Sequence, residues 1–434
     1  VPGLRTVTVL EHEVVPILRA NRAGSSDAQV LEVGKFLTER EANSLLDWNE
    51  RRPGFCQRTS EGIKFANYCG VVGLESLVLE VLPKIGLDEE PRAMDVGIAR
   101  SVLLRMLHRA QEVRITDLDD VSQDVSRAPL LETFVLSFLN CALSIARRGL
   151  MFRYEGLSDD LTIARGRFQI HGHLRRNLSR PHLLHCEFDE FTADNPYNRA
   201  IRAALDICRP WLRTSLGQNL WFEIHARFAH VPSTRVLSGT VERLHRDRTT
   251  RHYTEVLKWC ELLLRMESPD LRNGEKEAPG LLFDMNKLFE AHVLQLEKER
   301  APREDKVKGQ GPQRNLALVA SSKCFTLKPD VTISRLTGQN GADQVHRIVD
   351  AKWKRIDPKS GTLGVDQADI YQLLAYAVSY GCRELELVYP EPDRTIYNRV
   401  PIIFSIPSTN LTGPVRIQVR TVHLLRESSF SDRE

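Results

Sequence analysis

Asp330, Asp350 and Lys352 are the residues whose types and spacing suit chemistry. Hydrolysing a phosphodiester calls for a divalent ion that polarises the phosphoryl oxygen and holds a water, and a hard ion such as Mg2+ takes carboxylate and carbonyl oxygens. In the run Ile348-Val349-Asp350-Ala351-Lys352-Trp353 the period-two alternation of a strand sends Asp350 and Lys352 to one face and Ala351 to the other. An acid and a base in so apolar a strand must be paired or hold an ion. Asp330 comes 20 residues before Asp350, across the turn-forming stretch TGQNGAD, so a hairpin sets the two carboxylates side by side. Their repulsion is relieved by a divalent cation, and Lys352 beside it orients the attacking water or stabilises the charge that builds on phosphorus. The expected ligands are Asp330, Asp350 and the backbone carbonyl of Ala351, with Mg2+ as the ion and Mn2+ as its alternative. A purely structural salt bridge is the competing reading of the same residues.

The elements that must position these groups follow from residue 281 onward. The expected order is a helix (LLFDMNKLFEAHVLQLEKE), a strand (KCFTLKPDVTISRL), a turn, a strand (VHRIVDAKWKRI), a helix (DQADIYQLLAYAVSY) and a strand (ELELVYP). This is the order of an α/β sandwich. Glu290, flanked by Phe289 and Val293 on the first helix, faces the sheet and completes the metal shell or remains a surface acid. Gln372 and Tyr376, four apart on the second helix, share a face and support the site, touch a DNA strand or simply pack. The polar run from about Lys298 to Gln313 reads as a mobile loop.

Before residue 281 the chemistry is sparser. The first ninety residues carry short β-branched segments bounded by Gly, Ser, Asn or Pro, which suggest a small barrel or sandwich. Helical spacing then takes over at Leu130, Leu131, Phe134, Val135, Phe138, Leu139 and Ala142, and a further helix is expected after Asn195-Pro196. The polar run Glu267 to Gly280 is a boundary candidate. The chain is expected to be multidomain α/β: a mainly-β segment 1–110, a mixed, helix-rich middle 111–278 and an α/β sandwich 279–434.

Composition narrows the class. With 434 residues and 42% hydrophobic content the chain is globular, and no apolar run nears the roughly 18 residues of a membrane span. Eight cysteines without a C-x-x-C pair argue against a disulfide framework and a zinc ribbon and suit a cytoplasmic protein. Nothing at the N-terminus, which lacks Met, marks the chain for export. A net charge of +3 is uninformative, but Leu161 to Cys186 holds no acid while carrying Arg165, Arg167, Arg175, Arg176 and Arg180 with four histidines. That segment could face phosphates or a partner, and Arg243 to Arg251 is a second basic stretch.

The residues around Asp330, Asp350 and Lys352 resemble PD-(D/E)xK nucleases of restriction-endonuclease-like fold. More specifically, VVGLESLVLEVLPKI, ARGRFQIHGHLRRNL, EFDEFTADNPYNR, LLFDMNKLFEAHV, LKPDVTI, IVDAKWK and DIYQLLAYA resemble, in order, the McrC family of nuclease subunits from McrBC-type, 5-methylcytosine-dependent restriction systems. The resemblance implies that Asp330, Asp350 and Lys352 carry cleavage, that Glu290 is the upstream acid and that Gln372 and Tyr376 match the helix motif. It also implies a hexameric McrB-type AAA+ GTPase ring that recognises modified double-stranded DNA, onto which the N-terminal part docks and whose hydrolysis it stimulates. The sequence has no G-x-x-x-x-G-K-[ST] loop, so this chain is expected to bind no nucleotide itself and to meet GTP through that partner. Arg165 and Arg167 match the family's R-G-R segment without an assigned catalytic role.

Other readings stay open. A RecB-like repair exonuclease shares the core and the Q-x-x-x-Y helix, and a non-catalytic activator or scaffold of an NTPase ring needs only the fold. His171, His173, His182 and His185 lack the ordered spacing of a zinc site.

Overall fold

The computed structural model describes residues 5–18, 35–51, 53–74, 77–84, 93–110, 129–267, 280–319, 322–336, 343–357, 360–362, 364–391, 402–407 and 413–424. The chain divides into two compact units, one of residues 131–281 and one of 2–130 together with 282–434. The second unit thus joins the two ends of the sequence.

In the first stretch of that second unit, β1 (Arg5–Leu10), β2 (Val14–Val15), β3 (Ile17–Leu18), β4 (Leu37–Thr38), α1 (Glu39–Arg51), β5 (Cys56–Arg58), β6 (Ile63–Phe65), β7 (Tyr68–Gly73), β8 (Leu77–Leu82) and α2 (Ala93–Arg109) follow one another. The expected barrel or sandwich is not what forms. β1 runs parallel to β8 and β8 antiparallel to β7, while β2, β5 and β6 make a separate small sheet. Two helices also make the segment mixed rather than mainly β. The signal for α1 was present: Ala42, Leu45 and Trp48, spaced three apart, are all buried. Glu80, on an otherwise apolar β8, is buried but fully engaged. It takes hydrogen bonds from Arg100, the Thr8 hydroxyl and the Leu130 amide, which is how a charge survives there.

The unit of residues 131–281 contains most of α3 (Leu130–Arg148), then β9 (Arg153–Leu161), β10 (Arg167–Phe168), α4 (Ile170–Arg176), β11 (Leu184–Thr192), α5 (Pro196–Cys208), α6 (Ser215–Arg227), α7 (Ser238–Glu242) and α8 (Thr254–Glu267). Both helices expected from the sequence are present. α5 starts as Asn-Pro predicts, with the Asn195 side chain accepting from the Tyr197 and Asn198 amides and Pro196 in the first turn. α3 is, among the described residues, long and apolar enough to cross a membrane, yet 72% of its apolar window is buried inside the protein. All eight cysteines are free thiols.

The last stretch returns to the second unit with β12 (Gly280–Asp284), α9 (Met285–Arg300), β13 (Asp305–Gly309), β14 (Arg314–Val319), β15 (Ser322–Leu327), β16 (Val331–Leu336), β17 (Asp343–Ala351), α10 (Gln367–Tyr380), β18 (Glu384–Pro390), β19 (Ile403–Ile406) and β20 (Val415–Val422). Three expectations need correction. The first helix begins later, because Asp284 caps it by accepting from the Asn286 and Lys287 amides, and Gly280–Asp284 is a strand. The strand foreseen over KCFTLKPDVTISRL is two: β15 pairs with β14, whereas β16 belongs to the main sheet. Pro329, which cannot donate to a ladder, stands at the break. The polar run thought to be a mobile loop contains β13, an edge strand whose exposed Lys306 and Lys308 keep it from pairing further. The turn at 337–342 and the boundary stretch 268–279 lie outside the described residues.

The main sheet has the order β13-β16-β17-β18-β20-β19, antiparallel across β13, β16 and β17 and parallel across β17, β18 and β20. α10 links the parallel pair β17 and β18, and its Leu373, Tyr376, Ala377 and Tyr380 share a core with Ile348, Leu385, Leu387 and Ile417. Gly381, at φ +64°, ends that helix in the left-handed conformation that glycine adopts without strain. Glu297 of α9 reaches under the sheet, 1% exposed, bonding Arg347 at 2.8 Å and Arg420 at 2.6 Å, both of which also bond Glu386. Glu297→Ala leaves two partly buried guanidiniums short of a counter-charge. It is expected to destabilise the protein by about 3 kcal/mol, read as a lower urea midpoint at unchanged slope.

Candidate active site

The ladder between β16 and β17 ends at Val331 opposite Val349, so one further step sets Asp330 alongside Asp350. Asp330 Oδ2 accepts from the Ala351 amide at 2.8 Å, which fixes its carboxylate across the strand end. Lys352 Nζ lies 2.8 Å from Asp350 Oδ2, as the alternation of side chains requires. Asp350 is 1% exposed, while Lys352 is partly open to solvent. Glu290, half-buried on α9, bonds Gln310 and adds its charge to the same cluster.

The electrostatics reflect crowding of acids. Burial, followed by the Asp350 and Glu290 carboxylates, pushes Asp330 up to about 8, even though part of its surface is open. Burial also raises Asp350, against the pull of Lys352, and raises Glu290. Burial opposes the charge on Lys352, but Asp350, Asp369 and Asp330 outweigh it and hold the ammonium above its ordinary value. Lys352 is therefore a cation, suited to holding an oxygen in place rather than to removing a proton.

α10 supplies the scaffold. Lys352 Nζ donates to Gln372 Oε1 at 2.9 Å, Gln372 Nε2 donates to the Tyr376 hydroxyl at 2.9 Å, and that hydroxyl donates to the Lys328 carbonyl at 3.3 Å. This relay ties Gln372 and Tyr376 to Lys352. Asp369, buried one turn before Gln372, lies 3.4 Å from Lys352 Nζ and 3.3 Å from Lys354 Nζ. Sequence reasoning missed it, although its spacing of three from Gln372 put it on the same face. A charged hydrogen bond of this kind contributes about 1.5–3 kcal/mol.

The donor set fits a hard divalent ion. Asp350 Oδ2 is buried with the Lys352 ammonium as its neighbour at 2.8 Å, and Asp330 commits Oδ2 to the Ala351 amide, so each carboxylate keeps lone pairs for an ion. Among the described residues no three His, Cys, Asp or Glu side chains close around one point. An ion here would thus rest on two carboxylates, with a backbone carbonyl and water filling the remaining positions, a set that suits Mg2+.

The basic segment lies in the other unit. Arg165, Arg167, Arg175 and Arg176 are all exposed, Arg165 lying over the Phe188 ring at 4.4 Å. His185 is buried, its Nδ1 2.7 Å from Asp160 and its Nε2 3.0 Å from the Ser158 hydroxyl. Both ring nitrogens are engaged, so this histidine has none to offer a zinc ion.

A mixed α/β chain with a carboxylate–lysine cluster at the end of two sheet strands is the class these features define. A family model described as McrBC 5-methylcytosine restriction system component matches residues 63–390, and the chain belongs to that family. No curated protein matches it. Among solved structures it is similar, with TM-score 0.64 and 20% identity over 96% of this chain and 94% of the other, to a chain in the refined half-complex from the tetradecameric assembly of Thermococcus gammatolerans McrB AAA+ hexamers with bound McrC. A chain of the Thermococcus gammatolerans McrBC complex matches with TM-score 0.47 and 20% identity over 68% of this chain and 88% of that one.

Proposed function

We propose that this chain is the nuclease subunit of its restriction system, a Mg2+-dependent endonuclease of PD-(D/E)xK type that cuts DNA when assembled with a GTP-hydrolysing AAA+ ring. The observation that carries the reading is the Asp350–Lys352 ion pair, its carboxylate buried beside Asp330 at a strand end inside a McrBC-family chain. The assembly of McrB hexamers with bound McrC, to which the chain is similar in fold, supports the partner. Stimulation of the ring's hydrolysis and selection of methylated double-stranded DNA belong to the same proposal.

When bound, the ion would supply charge to the phosphoryl oxygen and acidify a water. Asp330 and Asp350 would hold it, with Glu290 beside them. Lys352, held by Asp350, Asp369 and Gln372, would set its positive charge beside the ion, close to where an attacking or phosphate oxygen would sit. Its charge favours the form in which negative charge has built up, which is the part of catalysis this chain itself provides. The exposed arginines at 165, 167, 175 and 176 would meet phosphates or the partner.

A covalently closed methylated plasmid, incubated with the chain, its ring partner, Mg2+ and GTP, tests the reading. Nicking or linearisation of the circle is the expected outcome. Degradation of linear DNA alone, with the circle spared, would favour the RecB-like exonuclease instead.

A further inference from the structure

Next to the cluster, within the same unit, lies a cavity of about 100 Å3 bordered by Glu11, His12, Lys84, Trp353, Arg355 and Glu391, among others. Residues from both ends of the sequence build it, and they are stitched together. Trp353 Nε1 donates to Glu11 Oε2 at 3.0 Å and Arg355 Nη2 donates to the Lys84 carbonyl at 3.3 Å. We propose that His12, Lys84 and Arg355 form a pocket for one DNA backbone phosphate flanking the phosphate that is cut.

Size, charge and place each favour that occupant. Ligand pockets for whole small molecules run to about 300 Å3 and more, so this cavity takes a single phosphate group and no nucleoside. Among the described residues neither the Lys84 ammonium nor the Arg355 guanidinium has an ion-pair partner within 4 Å, so both charges remain available. Their excess is visible in His12, which burial and then Lys64, Lys84 and Arg355 hold below its usual range. Two acids share the wall: Glu11, whose Oε2 accepts from Trp353 and whose Oε1 lies 3.8 Å from His12 Nε2, and Glu391 at the border; neither lies within 4 Å of the Lys84 or Arg355 charge. Arg355 is three residues beyond Lys352, at most about 10 Å of extended chain. That spacing keeps the pocket and the cluster within the span of a short run of consecutive phosphates on one strand.

This inference rests on the proposed nuclease reading, and its test separates the two. Binding of a short methylated duplex to the full chain with its ring is measured in Ca2+ as a function of salt, for wild type, Lys84→Gln and Lys84→Gln/Arg355→Gln. Losing one phosphate contact lowers the slope of log K against log salt by about one. The double variant is expected to show that drop, and the single variant part of it. A set of duplexes, each with one neutral methylphosphonate, should include one near the cut that weakens wild type but leaves the double variant unaffected. Inorganic phosphate at matched ionic strength should not reproduce the effect of the duplex phosphate. An unchanged slope, or methylphosphonate losses equal in wild type and double variant at every position, would overturn the pocket. Asp350→Ala should keep the slope while losing cleavage. If it still cuts while the pocket result holds, only the catalytic reading falls. If wild type binds no DNA, both fall.

Discussion

Lys352→Gln is expected to lower DNA cleavage by about 10²–10⁴-fold, the range over which a positioned proton-handling or charge-stabilising side chain acts. The substitution removes the one cation that Asp350, Asp369 and Gln372 together hold in place. It leaves both carboxylates that would take the ion. Divalent-ion binding, followed by calorimetry on the chain alone, should therefore persist or tighten as cleavage falls. Should the variant lose ion binding and cleavage together, Lys352 would be a structural counter-ion and its assigned role would be wrong.

The metal-free protein is expected to lose stability as pH rises, and the second large effect lies there. Asp330 titrates near 8 in the folded chain, against about 3.9 for an unfolded aspartate. Between those values the folded state holds a proton that the unfolded state has released, so unfolding becomes easier with each step upward in pH and levels off above 8. Asp350 and Glu290 are raised as well and act in the same sense. Lys352, raised from an already high value, contributes stability that is lost only in a far more alkaline range. The sum should reach a few kcal/mol between pH 5 and pH 9. Melting temperatures in EDTA should fall over that window, Asp330→Asn should flatten the fall, and Mg2+ should restore more stability at pH 9 than at pH 5. A wild-type profile as flat as that of Asp330→Asn would show that the carboxylates do not repel as the geometry requires.

The centre of the site was readable because it obeys local rules. Asp350 and Lys352 share a face through strand alternation alone, and the hairpin that delivers Asp330 follows from a turn between two β-branched runs. Gln372 and Tyr376 could be placed on one helix face but not given a task, since nothing local says that Lys352 donates to that glutamine. Asp369 carries no distinguishing signal in the sequence, since an acid in a helix's first turn has an ordinary explanation at the positive end of the helix dipole. Edge strand β13 was hidden by its charged residues, which are what an edge strand needs and also what a loop carries. Hardest to foresee was the bond from Trp353 to Glu11, 342 residues apart, because sequence spacing holds no trace of a contact made by folding one end of the chain onto the other.

The central claim is that these carboxylates and this lysine cut DNA on behalf of a ring-driven complex. Its most direct test is cleavage of covalently closed methylated and unmethylated plasmid by wild type and Asp350→Ala, each with and without the GTPase partner, in Mg2+ and GTP. Cutting of methylated plasmid by wild type with the partner, and by no other combination, is the predicted result. Equal cutting by Asp350→Ala would contradict the account and leave the fold as a scaffold.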